Sequence, residues 1–494
     1  MKYSFVEIDI DSGPKDHVIL NKAQAAILGV GAADRVQITN LTNKQVLNNV
    51  IVDYSQNTKK HTVGLFKPTR KRLGLKKGDK ITIHQMGKPI STLYIKNKLD
   101  GKKLSQKQIA EIIKDVVYGN LSPVELAYFV AGAYIHGFSF EETANLTQSI
   151  AETGNTIKFK KGQIVVDKHC IGGVPGNRTT MIMVPILTAL GLYMPKTSTR
   201  SITSPAGTVD TMEVLANVMV DYDKIPNILK KTKGFIIWGG TSDLADADDN
   251  LIEVRHSMNI DPTGMVLASV LAKKKAAGST HVLIDLPYGK HAKITKSEAS
   301  KWKKDFEKIG KLIGLEIKVI TTVGNQPIGN GIGAYLEAQD VLKVLNCAND
   351  APADLREKSL QMAGILLELS GKTSKNKGYQ LAKETLDSKK ALKQFQKIMK
   401  TQGPAPAKVK AAAYTHELKA SKAGTIREIH IKNISKAALI LGAPKDKSAG
   451  VYMQARLGDK VQKNQSLLTL HYNNKQNLES LLKQKLLSEI FTIK

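Results

Sequence analysis

The chain holds too few cysteines for a disulfide framework: Cys170 and Cys347 are the only two in 494 residues. That usage fits a reducing compartment, and the cytoplasm is the expected location. The opening MKYSFVEIDI lacks the apolar core of a secretory leader, so none is expected. Long hydrophobic runs are missing too. The longest, Met181 to Met194, contains Pro185 and falls short of a bilayer span, so it reads as a buried core helix and no membrane role is expected. Aromatic residues make up only 5% of the chain although its net charge is +29. A nucleic-acid groove pairs a basic stripe with stacking rings. Here the basic residues are scattered single lysines, which describes a solvated surface that also steers anions. Nucleic acid is therefore set aside as a partner. No Cys/His spacing suits zinc. The acidic stretch with Asp243, Asp246, Asp248 and Asp249 lacks the glycine and closing glutamate of a calcium loop; it reads as a solvated loop, and no metal is expected.

What is present suggests roughly three domains by length. Residues 1–90 contain an internal repeat: Leu28-Gly29 through Asp34 to Ile38 echoes Leu73-Gly74 through Asp79 to Ile83. A duplicated strand–turn–strand unit predicts a small N-terminal β-barrel. Residues 95–160 are helical by pattern, with Ser122-Pro123 and Ser139 opening helices. Residues 161–345 alternate strand-like and helix-like runs, the signature of an α/β domain. Residues 346–402 continue as helix. After Gly403-Pro404-Ala405-Pro406, short β runs mark a C-terminal domain over 407–494.

The densest chemistry lies between Asp167 and Asp210. A short β run, Ile164 to Val166, leads to Lys168 and His169. A glycine loop follows (Gly172, Gly173, Gly176), and Thr179 and Thr180 then open an apolar helix. Glycines admit a ligand close to the backbone, and helix starts present unpaired N–H groups, which together suit an oxyanion such as phosphate. A second cluster from Lys196 to Thr208 adds a lysine, an arginine and several hydroxyls.

Lys168-His169-Cys170-Ile171-Gly172-Gly173-Val174, Ser198-Thr199-Arg200 and Gly207-Thr208-Val209-Asp210 together resemble the thymidine/pyrimidine-nucleoside phosphorylase family. The segment SITSPAGT and the inserted Pro175 resemble its long branch, shared by archaeal AMP phosphorylases and long bacterial proteins grouped with thymidine phosphorylases. The resemblance implies an α/β multidomain protein of the nucleoside phosphorylase/phosphoribosyltransferase type. Its parts would be an N-terminal barrel, a helical domain that takes in part of 178–230, an α/β catalytic domain and a C-terminal α+β hammerhead domain. It also implies a homodimer or larger homo-oligomer, no cofactor, and inorganic phosphate as co-substrate.

Carried over residue by residue, phosphate falls to Lys168, Cys170, Gly173, Thr180, Ser198 and Thr208. Cys170 stands where the family usually has serine, and a thiol is a weak donor. His169, with an ordinary pKa near neutrality, is a candidate acid toward the leaving base or an orienter of the sugar. The base side maps to Arg255, Ser269 and Lys273. Ser269 and Lys273 sit four apart on one helix face, whereas Arg255 is one residue short of the usual separation from Ser269. In the AMP-cleaving relatives the position of Asp261 donates the proton, and Thr199, Arg200, Ser201, Ile202, Thr203, Ser204 and Lys293 hold the nucleotide. Two substrates follow. Thymidine, giving thymine and 2-deoxyribose 1-phosphate, is first; AMP, giving adenine and ribose 1,5-bisphosphate, is second. A phosphoribosyltransferase would need carboxylates for magnesium, and the loop offers Asn177.

Overall fold

The computed structural model describes residues 1–10, 16–201, 204–241, 247–258 and 260–494. Ile202, Thr203, Asp243 and Asp246 lie outside the described residues, as does the side chain of Asp249. The chain forms two compact units, Met1–Ser149 with Ala247–Met265, and Ile150–Asp246 with Val266–Lys494. The segment the first unit takes from later in the chain is therefore 247–265, while 178–230 belongs wholly to the second. Among the described residues no helix is long and apolar enough to cross a membrane.

The first unit opens with a closed six-stranded barrel. The internal repeat builds it as helix–turn–strand rather than as the predicted strand–turn–strand. Lys22–Leu28 and Lys67–Arg72 are short helices, and Gly29 (φ 68°) and Gly74 (φ 58°) turn the chain away from them in the left-handed region. The two aspartates of the repeat then do one job: Asp34 accepts from Gly31 N at 2.7 Å and Asp79 from Lys76 N at 2.8 Å. The strands that follow, Arg35–Asn40 and Ile81–Gln85, pair antiparallel as neighbours. Helices follow the barrel. Ser122 and Glu125 form a reciprocal cap, with Ser122 Oγ accepting from Glu125 N at 3.2 Å and Glu125 accepting from Ser122 N at 2.7 Å.

In the second unit the strands Val166–Cys170, His281–Tyr288 and Glu316–Val323 form a parallel sheet with 281–288 in the middle. Met194–Ser198 pairs in parallel with Gly234–Trp238, and a parallel bridge from Val165 to Tyr193 joins the two sets. The apolar run read as one helix divides: Thr179–Ala189 is helix, buried on all sides, and Met194 begins the next strand. Beyond Gly403, two small antiparallel sheets are built from Tyr414–Lys419, Gly424–Ile429, Gly450–Met453, Lys460–Val461, Ser466–Tyr472 and Phe491–Ile493, with Gly331–Ile332 joining the larger. Open α/β sheets bind ligands beyond the carboxyl ends of their strands. Here those ends lead into 171–178, 199–207, 289–294 and 324–330.

Candidate active site

One strand supplies the centre. Lys168 and His169 lie on the strand Val166–Cys170 itself rather than after it. Strand alternation therefore sends Lys168 and Cys170 to one face and Asp167 and His169 to the other.

On the first face Lys168 is buried, and its ammonium donates to Thr179 Oγ1 at 2.9 Å. Burial lowers its pKa from the ordinary lysine value, and the nearby Cys170 and Asp285 oppose that shift. Asn177 Nδ2 donates to Cys170 Sγ and to Asp285, each at 3.4 Å. Asp285 also accepts from Thr322 Oγ1 at 2.7 Å and pairs with Lys358 at 3.0 Å. Burial, and then Asp285, push the Cys170 thiol up, so it stays protonated.

On the second face the buried carboxylate of Asp167 holds two ammoniums, Lys274 at 2.7 Å and Lys196 at 3.4 Å. Lys196 also donates to Lys168 O at 3.1 Å. Burial works to raise Asp167, but the two lysines hold it below the usual carboxylate range. Burial lowers the Lys196 ammonium from the ordinary lysine value to about 7, so beside the Asp167–Lys274 ion pair it carries only part of a charge near neutral pH, and an incoming anion would favour its charged form. The near-neutral pKa expected of His169 does not survive this setting. Burial first, then Lys274, Lys196, Lys168 and Lys273, push it well below 6.5, so the imidazole is neutral at pH 7.

The loop between strand and helix is shaped by glycine. Gly173 (φ 88°) and Gly176 (φ 74°) take left-handed conformations, and a Cβ at Gly173 would lie 2.7 Å from Lys293 N. No side chain caps the helix Thr179–Ala189, and Met181 N donates to Arg178 O at 3.0 Å, so an anion would meet the amides of Thr179 and Thr180, with Thr180 buried in that first turn. Arg178 pairs with Glu337 and reaches across to Ala206 O at 2.5 Å and Thr208 Oγ1 at 3.5 Å, tying the first loop to the second.

The second loop is held from within. Asp210 accepts from Ser201 N at 2.8 Å and Gly207 N at 2.7 Å. Arg200 grips Glu213 through two hydrogen bonds of 2.8 and 2.7 Å, and these bonds hold the Glu213 carboxyl down at about 2. Arg200 thus clamps the loop that carries the proposed ligands. Ser198 and Thr208 are half-buried, Thr199 and Ser204 are exposed, and the Ser201 and Ser204 hydroxyls lie 2.6 Å apart.

The base-side residues divide between the units. Arg255 is buried in the first unit, 3.7 Å from Asp261. Ser269 and Lys273 lie in the second unit on the helix Thr263–Ala276, with Ser269 buried. Lys293 is exposed. The sequence reading placed Lys196 in the second cluster but missed its pairing with Asp167, and it missed Asp167, Arg178, Lys274, Asp285 and Lys358 as parts of the site. Asp167 and Lys274 adjoin named residues, and period-two reading of the strand would have found Asp167. Asp285 and Lys358 meet it only through the tertiary fold.

A buried lysine on a parallel strand, with a glycine loop and a helix without a side-chain cap following that strand's carboxyl end, has the form of an anion site in an α/β domain. Comparison with known proteins gives the class more closely. Residues 92–154 match the helical bundle domain of a glycosyl transferase family, 162–392 match the a/b domain of that family, and 425–490 match the pyrimidine nucleoside phosphorylase C-terminal domain. AMP phosphorylase of Methanococcus vannielii is 39% identical over 96% of this chain and 94% of its own length. A protein of Nitrobacter hamburgensis named "Putative thymidine phosphorylase" is 40% identical over 94% of this chain and 91% of its own. AMP phosphorylase 1 of Archaeoglobus fulgidus is 40% identical over 97% and 95%. The crystal structure of anthranilate phosphoribosyltransferase from Thermus thermophilus shares the fold, with TM-score 0.53 and 16% identity over 62% of this chain and 98% of that one. The chain belongs to the thymidine/pyrimidine-nucleoside phosphorylase family, long branch, and is a pentosyltransferase.

Proposed function

We propose that the protein cleaves thymidine with phosphate, giving thymine and 2-deoxyribose 1-phosphate. Phosphate is assigned to Lys168, Gly173, Thr180, Ser198 and Thr208, with Cys170 beside them. A phosphate oxygen bonds to C1′ of the sugar as the bond from C1′ to the base nitrogen breaks, and the electron pair leaves with the base. Ser269 and Lys273, with Arg255 carried over from the sequence, are assigned to the base, where Lys273 answers the developing negative charge. A neutral His169 serves this chemistry as a hydrogen-bond partner of the sugar or base rather than as a strong acid.

The observation that favours thymidine over AMP is the ion pair of Asp261 with Arg255 at 3.7 Å. That contact turns the Asp261 side chain toward the Arg255 guanidinium, a geometry that suits a structural partner of Arg255. AMP remains the second reading because AMP phosphorylases match nearly the whole chain. The same reading takes the protein as a homo-oligomer without a cofactor, and its C-terminal sheets as the hammerhead of this branch. Incubation with phosphate and, separately, thymidine, uridine and AMP tests the choice: thymine release that depends on phosphate is expected, and adenine release with thymidine inert would overturn it.

A further inference from the structure

We infer that the C-terminal domain shapes the phosphate site from behind, through Glu428, Arg456 and Lys447 as positioning residues. The inference rests on the assignment of phosphate to the 171–178 loop.

Each of these charged side chains fastens a different loop of the site. Lys290 Nζ and His291 Nε2 both lie 2.7 Å from the same oxygen of Glu428, and the His291 ring stacks on His430 at 3.8 Å. Those two hydrogen bonds hold the Glu428 carboxyl down at about 2, so it stays an anion. The turn that Glu428 holds runs from Gly289 to Lys293, closed by Ala292 N donating to Gly289 O at 3.2 Å. Its far end is the backbone behind Gly173, against which no side chain at 173 would fit.

Arg456 holds the next loop. It donates to Pro327 O at 3.1 Å and Gly329 O at 2.7 Å. Between those carbonyls, Ile328 N donates to Pro175 O at 3.1 Å, inside the phosphate loop, and Ile328 O backs Gly176. Lys447 pairs with Glu213, the carboxylate that clamps Arg200 and with it the 199–207 loop. Gly173 and Gly176, two of the three glycines that turn left-handed in the anion loop, are thus each backed by a segment that a C-terminal charge holds in place. Packing alone would bury the apolar faces of this domain; it does not require three ion-paired or carbonyl-directed charges on three loops of one site.

The test uses the full chain with Glu428→Gln and Arg456→Met, and Glu428→Asp and Arg456→Lys as conservative partners. Kinetic constants for phosphate and for the nucleoside are measured separately, with hydrogen exchange of the 171–178 segment with and without inorganic phosphate, and thermal stability. Each disruptive variant should raise KM for phosphate on the order of tenfold, change kcat and the nucleoside KM by less than about twofold, and speed exchange in 171–178. The conservative variants should recover part of the loss. Unchanged phosphate KM and exchange in both disruptive variants would overturn the inference, and so would a joint fall of every kinetic constant with thermal stability. Absence of phosphate protection at 171–178 in the wild-type protein would instead remove the phosphate assignment on which it rests.

Discussion

The N-terminal barrel and the strand Val166–Cys170 bury opposite kinds of residue. The barrel closes on an apolar cluster that includes Tyr3, Val18, Leu20, Val36, Ile38 and Ile83. The site strand buries Asp167 and Lys168 completely, with Lys196 and Lys274 buried around them. Apolar burial stabilises at about 25 cal/mol per Å², whereas each buried ion costs several kcal/mol before its partners offset it. Stability alone would fill the strand as it fills the barrel. Its charges instead suit the proposed phosphate site, where an anion would complete the electrostatics. The first way to break this contrast is Asp167→Asn, which leaves Lys196 and Lys274 facing each other without their carboxylate. A loss of about 3–5 kcal/mol in urea unfolding is expected, together with altered phosphate affinity. Ile83→Ala in the barrel should cost a similar amount, about 2–5 kcal/mol, and leave both KM values untouched. Equal kinetic effects from the two would erase the distinction.

Lys168→Met breaks the contrast from the other side. The buried ammonium goes and an apolar chain of similar length takes its place, so unfolding stability should hold or rise by about 1 kcal/mol. Turnover should fall by about 10²- to 10³-fold through the loss of a charge poised for phosphate. Phosphate-dependent base release and urea titration of the same preparation check both halves. A destabilised variant with normal turnover would make Lys168 structural.

Much of this was legible because it is local. The repeat Leu28-Gly29…Asp34 and Leu73-Gly74…Asp79 signalled the barrel, although its leading apolar residues close short helices rather than strands. Glycine spacing and the Lys168-His169 pair located the turn between strand and helix to which phosphate is assigned. The electrostatics were not local. The three lysines that act on His169 besides its neighbour Lys168 come from 196, 273 and 274, and Asp285 meets Lys358 only when a strand and a distant helix pack together. No window of the sequence contains those distances, so His169 read as an ordinary imidazole.

That imidazole gives a smaller effect with a definite sign. Its folded pKa lies well below the unfolded value of 6.5, so as pH falls through 6.5 the unfolded chain takes up a proton that the folded chain refuses. The contribution of His169 to stability is therefore constant above 6.5 and declines below it. Unfolding at about pH 5.5 and 7.5 should show a steeper acid loss for the wild type than for His169→Gln. The pH profile of kcat/KM should show no limb from His169 above 6.5. A limb near neutrality that Lys274→Met leaves in place would mean the lysines do not set it.

Cys170 offers the finest discrimination, because it stands on the charged strand but could belong with the barrel's fillers. Its thiol is held protonated by burial and takes a 3.4 Å contact from Asn177, yet a thiol donates weakly. A serine at that place can donate to phosphate while still accepting from Asn177. Cys170→Ser should therefore lower KM for phosphate by about fivefold, the equivalent of about 1 kcal/mol for one added hydrogen bond, with kcat little changed. Cys170→Ala separates chemistry from volume: if the thiol contributes a weak bond, alanine should raise the phosphate KM by a smaller factor than serine lowers it. If serine and alanine behave alike, position 170 only fills space, and the charged character of the strand ends at Lys168.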